Sequence, residues 1–206
     1  MGYGRREFLG LAAAGISGFA SAKFGLCLPK ADVFVAGAGP AGFIAAIAAA
    51  RNGAKVTLAE SFGFPGGMAT AGLVGPISKF NFGGKRVVGG LAWEFVERMA
   101  AQGGAITDLP KGNVPFESEV YRRIAREMLE EADVRCFWQT QVCGEPELAA
   151  GGLVAAEPAA FASMRVQAQC MAMGQAAGTT AAFRQDEDVR RLDFAAIAQN
   201  VQLLRR

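Results

Sequence analysis

The sequence predicts an α/β fold of three layers, a parallel central sheet flanked by helices. Three observations predict it. Within residues 31–60 a short apolar run is followed by a glycine turn, an alanine-rich helical stretch and a second apolar run. Two stretches of helical periodicity and another strand-like run come next. The hydrophobic share is 51% with 27 glycines, the composition of a packed, loop-punctuated domain rather than a disordered chain. At 206 residues the chain suits one ordinary domain with a small appendage. A domain of that size buries roughly 70% of its unfolded surface and needs no disulfides.

In chain order, the amino terminus comes first. Arg5-Arg6 precede an apolar stretch from Phe8 to Ala20, which ends in the small-x-small pattern Ala20-Ser21-Ala22. This reads as a signal peptide over residues 1–22, too short and too rich in Gly and Ser for a membrane span. Gly4-Arg5-Arg6-Glu7-Phe8-Leu9 resembles the twin-arginine signal without its usual leading Ser or Thr. That resemblance implies export to a bacterial periplasm and no stable membrane anchor once the signal is removed. The competing reading is a frayed amphipathic helix. Cys27 follows Phe24-Gly25-Leu26, a poor lipoprotein box, so no lipid anchor is expected.

Ala31–Ala36 reads as a buried strand, Phe43–Arg51 as a helix stopped at Gly53, and Lys55–Glu60 as a second strand ending in an acid. Between strand and helix lies Gly37-Ala38-Gly39-Pro40-Ala41-Gly42. Each glycine has a physical duty in a dinucleotide-binding turn. Gly37 permits the tight exit from the strand, and Gly39 lets backbone approach a pyrophosphate. Gly42 allows close packing of helix on sheet, helped by Ala45, Ala46 and Ala49. The helix N-terminus offers free N–H groups and partial positive charge to phosphates. Glu60 is placed to accept hydrogen bonds from ribose hydroxyls, and its charge disfavours a 2′-phosphate. The pattern does not separate NAD from FAD.

Further along, Val88–Gln102 reads as an amphipathic helix closed by Gly103-Gly104, with Leu91, Phe95, Val96 and Met99 on its core face. Phe116–Glu131 reads as a helix with Val120, Ile124 and Met128 inward, and Val134–Val142 as a strand. Residues 144–162 shift abruptly to Ala, Gly, Glu and Pro and read as a linker. Residues 163–184 form a helical stretch marked by Ala172, Gly174, Ala176, Ala177, Gly178 and Ala181, which indicates intimate packing. Asp193–Leu204 reads as a capped terminal helix. Trp93 and Trp138 read as packing residues.

Composition also excludes chemistries. The chain has no histidine, which removes imidazole bases, Ser-His dyads and His-ligated metals. Cys27, Cys136, Cys143 and Cys170 are scattered without a Cys-x-x-Cys pair, so no metal site is expected and an iron–sulfur cluster is unsupported. They read as small buried apolar side chains. Net charge is +2 with no basic stripe, which makes nucleic acid an unlikely partner.

The run Gly37–Gly42, followed after Glu60 by Ser61-Phe-Gly-Phe-Pro-Gly-Gly-Met-Ala-Thr-Ala-Gly72, resembles the FAD-dependent oxidoreductase family. More narrowly it is similar to the heterodisulfide reductase A-like flavoproteins. The resemblance implies a Rossmann-like FAD/NAD(P)-binding domain and flavin-mediated hydride or electron transfer. It places Ser61, Gly66, Gly67 and Met68 along the cofactor. It also sets the residue 134–142 strand beside the adenine through Val142, and the N-terminus of the 163–184 helix at the flavin, with Arg165 close by. The resemblance covers 32–143 and 161–204. Residues 31–143 would form the FAD-binding domain and 163–206 the helices completing it. Only residues 144–162 stand where family members carry later strands, a second cofactor motif and the domain over the substrate. The fold therefore reads as truncated: a natural minimal flavoprotein, a decayed gene product or an assembly error. Two other functions stay open. A nicotinamide dehydrogenase would want a Tyr-x-x-x-Lys pair, and Tyr121 is followed by Arg-Arg-Ile-Ala. A non-catalytic nucleotide-binding remnant, or a module working beside a partner subunit, needs no catalytic residue. No catalytic acid or base, substrate or electron-transfer partner is singled out.

Overall fold

A parallel βαβ unit opens the fold: β1 (Val33–Ala36), α1 (Pro40–Arg51) and β2 (Val56–Ala59). The computed structural model describes residues 31–107, 112–142 and 166–183. Pro40 at the start of α1 brings a φ already suited to a helix. At the other end the Asn52 N–H and its side-chain amide both donate to the Ala48 carbonyl, and Gly53 turns the chain away at φ 90°.

β1 and β2 pair in parallel, Val33 with Val56 and Ala36 with Ala59. β2 pairs on its other side with β5 (Arg135–Phe137), giving the order β1-β2-β5. The central strand is buried at every residue, Thr57 included, while β1 is half-buried, in keeping with the apolar character of the run before Glu60. Between these strands lie a single 3₁₀ turn (Gly67–Ala69) and a small hairpin, β3 (Asn81–Phe82) and β4 (Lys85–Arg86). After the hairpin come α2 (Gly90–Ala101) and α3 (Ser118–Glu131), and after β5 comes α4 (Gln167–Phe183).

α1 packs on β1 and β2, and α2, α3 and α4 each pack on α1. The inward residues expected of α2 and α3 are all buried. Their centre is an edge-on aromatic group: Phe43 of α1, Phe95 of α2 and Tyr121 of α3, with ring centroids 4.6–5.9 Å apart. Trp93 and Trp138 are packing residues here, Trp93 edge-on to Phe80 and Trp138 half-buried against the core.

One expectation needs correction. The strand over Val134–Val142 stops at Phe137, because Trp138 and Gln139 form a turn with Gln139 at φ 54°. The hairpin was not foreseen, since two residues per strand carry no readable alternation. The proposed signal over 1–22, Cys27, Cys143, the 144–162 linker, Arg165 and the 193–204 helix lie outside the described residues.

Candidate functional site

The glycine turn sits between the end of β1 and the start of α1. Gly37 adopts φ 95°, a backbone that side chains disfavour, and its N–H donates to the Ala59 carbonyl at 2.7 Å. A Cβ at Gly37 or Gly39 would meet nothing within 4 Å, so space stands open above both. Gly42 is different: a Cβ there would collide with the Gly37 carbonyl and lie 3.6 Å from Val35. Its lack of a side chain chiefly admits the loop's own carbonyl, with sheet packing second. Ala45, expected to help that packing, faces α4 through its carbonyl.

Within α1 the first amide to reach back is that of Phe43, to the Gly39 carbonyl at 3.1 Å. The N–H groups of Gly39, Ala41 and Gly42 have no partner among the described residues. Pro40 contributes none. Open space and unpaired amides coincide at the positive end of a helix, an anion-accepting arrangement.

Glu60, only 5% exposed, lies at the end of β2. One carboxylate oxygen accepts the Ala38 N–H at 2.6 Å; the other accepts the Ser61 hydroxyl and the Phe62 N–H, both at 2.9 Å. The carboxylate that sequence reading gave to a ribose thus also clamps the glycine turn, a role that leaves lone pairs for a sugar hydroxyl. Backbone beside it comes from residues 137–140: Glu60 N–H donates to the Phe137 carbonyl, and the Glu60 and Phe62 carbonyls accept the Thr140 and Gln139 N–H groups. Val142 lies beyond this segment and is half-buried. Gln139 and Thr140 were missed because β5 was read as running through them.

The second glycine loop packs on the first. Gly66 (φ 113°) donates its N–H to the Ala38 carbonyl at 2.7 Å, and a Cβ on Gly67 would stand 3.1 Å from the Gly39 Cα. A side chain on Gly66 would strike Thr70, whose hydroxyl donates to the Pro65 carbonyl. Bulk at Gly67 would therefore push one loop off the other, and bulk at Gly66 would disrupt the second loop itself. Met68 follows, 64% exposed.

α4 lies alongside α1. A Cβ on Gly174 would strike the Ala41 carbonyl and one on Gly178 the Ala45 carbonyl, so both helices run the same way in step. Gln167 is seven residues before Gly174, while Pro40 is one before Ala41. The start of α4 therefore projects about 9 Å past the start of α1, at 1.5 Å per residue. Its Gln167 side-chain amide donates to the Val74 carbonyl at 2.6 Å. The loop from Gly67 to Val74 thus connects two helix N-termini of the same polarity. It carries the exposed apolar side chains Met68 and Leu73, the latter 73% exposed.

Other groups fall outside this arrangement. A hollow of about 380 Å³ lies at the C-terminal end of α1, lined by Arg51, Arg86, Trp93 and Glu94, whose charges are partly engaged in their own ion pairs. Cys136 and Cys170 are half-buried, and burial pushes the Cys136 thiol up to about 11. Among the described residues no group of three His, Cys, Asp or Glu is placed to hold a metal. Also among them, no helix is long and apolar enough to cross a membrane.

The family model described as FAD dependent oxidoreductase matches residues 32–147 and 146–201, so its two matched stretches run on directly in this chain. No curated protein matches. Among solved structures, Thermovibrio ammonificans THI4 is similar at 16% identity and a TM-score of 0.38, over 66% of this chain and 47% of that one. The chain thus spans about half the length of that structure.

Proposed function

The chain belongs to the FAD dependent oxidoreductase family, and from that premise we propose that it binds FAD across the two helix N-termini. The unpaired amides of Gly39, Ala41 and Gly42, with the open space above Gly37 and Gly39, receive the diphosphate. Glu60 holds the adjoining sugar, with Ser61 fixing the carboxylate. Gly66, Gly67 and Met68 run alongside, and the 137–142 segment through Val142 borders the adenine. The start of α4, with Arg165 just before it, faces the ring system and favours negative charge there. Bound FAD supplies hydride and electron transfer. This chain's residues position it, exclude water with the exposed apolar Met68 and Leu73, and keep the glycine turn in shape through Glu60. The kinship with heterodisulfide reductase A-like flavoproteins is proposed as the finer placement, resting on the Gly66-Gly67-Met68 run after the acid.

The observation that carries the reading is the parallel, staggered pair of helix N-termini joined by the 67–74 loop. An elongated ligand with an anionic centre and a flat ring at one end fits that spacing. The test is the visible spectrum of the purified protein, followed by FAD titration. Wild type should carry or take up flavin in stoichiometric amount. Gly39→Val, which places a side chain in the open space, should lower affinity at least 100-fold while leaving the far-ultraviolet circular dichroism unchanged. A Gly39→Val protein that retains flavin as wild type does would refute the assignment.

A further inference from the structure

From Ser61 to Trp93 the chain carries no acidic residue and three basic ones, Lys79, Lys85 and Arg86. The β3–β4 hairpin gathers all three. Its strands pair Asn81 with Arg86 and Phe82 with Lys85 across a two-residue turn, Gly83-Gly84, both at positive φ. The root is fixed: Phe80 is fully buried, its carbonyl accepts the Val87 N–H, and Gln169 of α4 donates to the Lys79 carbonyl at 3.3 Å. The tip stands free, with Phe82 79% exposed.

Three features point to one class of ligand. Phe82 sets an exposed phenyl ring between two exposed cations, Lys79 and Lys85, at the end of a rooted hairpin. Lys79, Lys85 and Arg86 form no ion pair among the described residues. Glu94 and Glu97 line the hollow that Arg86 also lines; Glu94 is held by Arg51 and Arg98, and Glu97 accepts the Trp93 indole N–H. Arg86 is itself braced over the Trp93 ring, 3.8 Å from its centroid. Beside the tip a second hollow of about 420 Å³ is lined by Ser78, Lys79, Asn81 and Asn113 together with Phe82. No carboxylate lines it among the described residues. Hydroxyl, ammonium and amide donors next to an exposed phenyl ring match a phosphate joined to an apolar chain.

We propose that the hairpin is a peripheral docking element for an anionic phospholipid surface: Phe82 enters the acyl boundary, Lys79 and the amides of the hollow receive a headgroup phosphate, and Lys85 adds attraction to the surface. A lipid bilayer suits the patch better than a protein does. The finger is far smaller than the roughly 800 Å² per partner of a standard protein interface, whereas membrane attachment adds residue by residue and needs no matching shape. The proposal stands independently of FAD binding, although the α4 contact places the finger near the helix start assigned to the flavin ring.

The experiment is sedimentation of the full chain with vesicles of phosphatidylglycerol in phosphatidylcholine, against phosphatidylcholine alone. Binding should appear on the anionic vesicles and weaken with salt. Lys79→Gln with Lys85→Gln should lower the partition coefficient about 25-fold, from about fivefold per charge near such a surface. Phe82→Ser should lower it roughly tenfold, the loss of one buried aromatic ring. All three side chains are exposed, so melting temperature should hold in both variants. Equal partition of wild type and variants overturns the proposal, as does equal binding to both vesicle types. Retention on immobilised polyglutamate without vesicle binding also overturns it, in favour of an acidic polypeptide.

Discussion

Tyr121 is wholly buried, its ring packed edge-on to Phe95 and Phe43, yet among the described residues its hydroxyl has no hydrogen-bond partner. Burial, with a smaller contribution from Cys170, pushes its pKa well above the ordinary value, so it remains a neutral phenol. An unpaired buried hydroxyl costs about 1–3 kcal/mol, whereas the ring contributes by packing. Tyr121→Phe should therefore stabilise the protein by about 1 kcal/mol, read as a raised urea midpoint with unchanged slope. A lowered midpoint would mean that the hydroxyl has a partner. Glu60 shows the opposite case. Its position at the end of the second strand suggests a sugar-binding acid, whereas its clamp on Ala38 was not legible. That contact joins residues 22 apart and depends on how the turn folds back.

Among the elements, the α1–α4 pair sets the two helix N-termini side by side. Small residues along 163–184 announced close packing without naming the partner, because a stripe of glycine and alanine fits any helix. The structure supplies the partner: Gly174 and Gly178, four apart, lie on the Ala41 and Ala45 carbonyls. Backbone cannot retreat as a side chain can, so even one methyl group is too many. Gly178→Ala should cost about 1–3 kcal/mol, a fall of several degrees in melting temperature by calorimetry. An unchanged melting temperature would show that the helices are not in this contact. By contrast, β5 was overread because strand-favouring Trp138, Thr140 and Val142 follow Phe137, and the left-handed Gln139 ends it. The hairpin was invisible for the reverse reason, its identity residing in a Gly-Gly turn rather than in its strands.

Across the whole molecule, the βαβ unit and the core faces of α2 and α3 were legible because each rests on local periodicity. What joins the elements was not. An ion-pair chain ties three helices: Arg51 of α1 to Glu94 of α2 at 2.7 Å, Glu94 to Arg98 at 2.9 Å, and Arg98 to Glu131 of α3 at 2.7 Å. The hydrogen bond from Arg51 leads in holding the Glu94 carboxyl below its ordinary 4.5. Glu94 in the unfolded chain lacks these partners, so folding lowers its pKa. The stability it adds is present above pH 4.5 and disappears as pH falls through the lower folded value. The arginines shift upward, beyond any working pH, chiefly through the hydrogen bonds of Arg51 to Glu94 and of Arg98 to Glu131. The pairs are about one-third exposed, which limits the contribution to about 1 kcal/mol. Glu94→Gln should thus be less stable than wild type by about that amount at pH 7. The gap should close toward pH 3, measured as urea midpoints at the two pH values. A gap that persists undiminished in acid would assign the loss to packing rather than to charge.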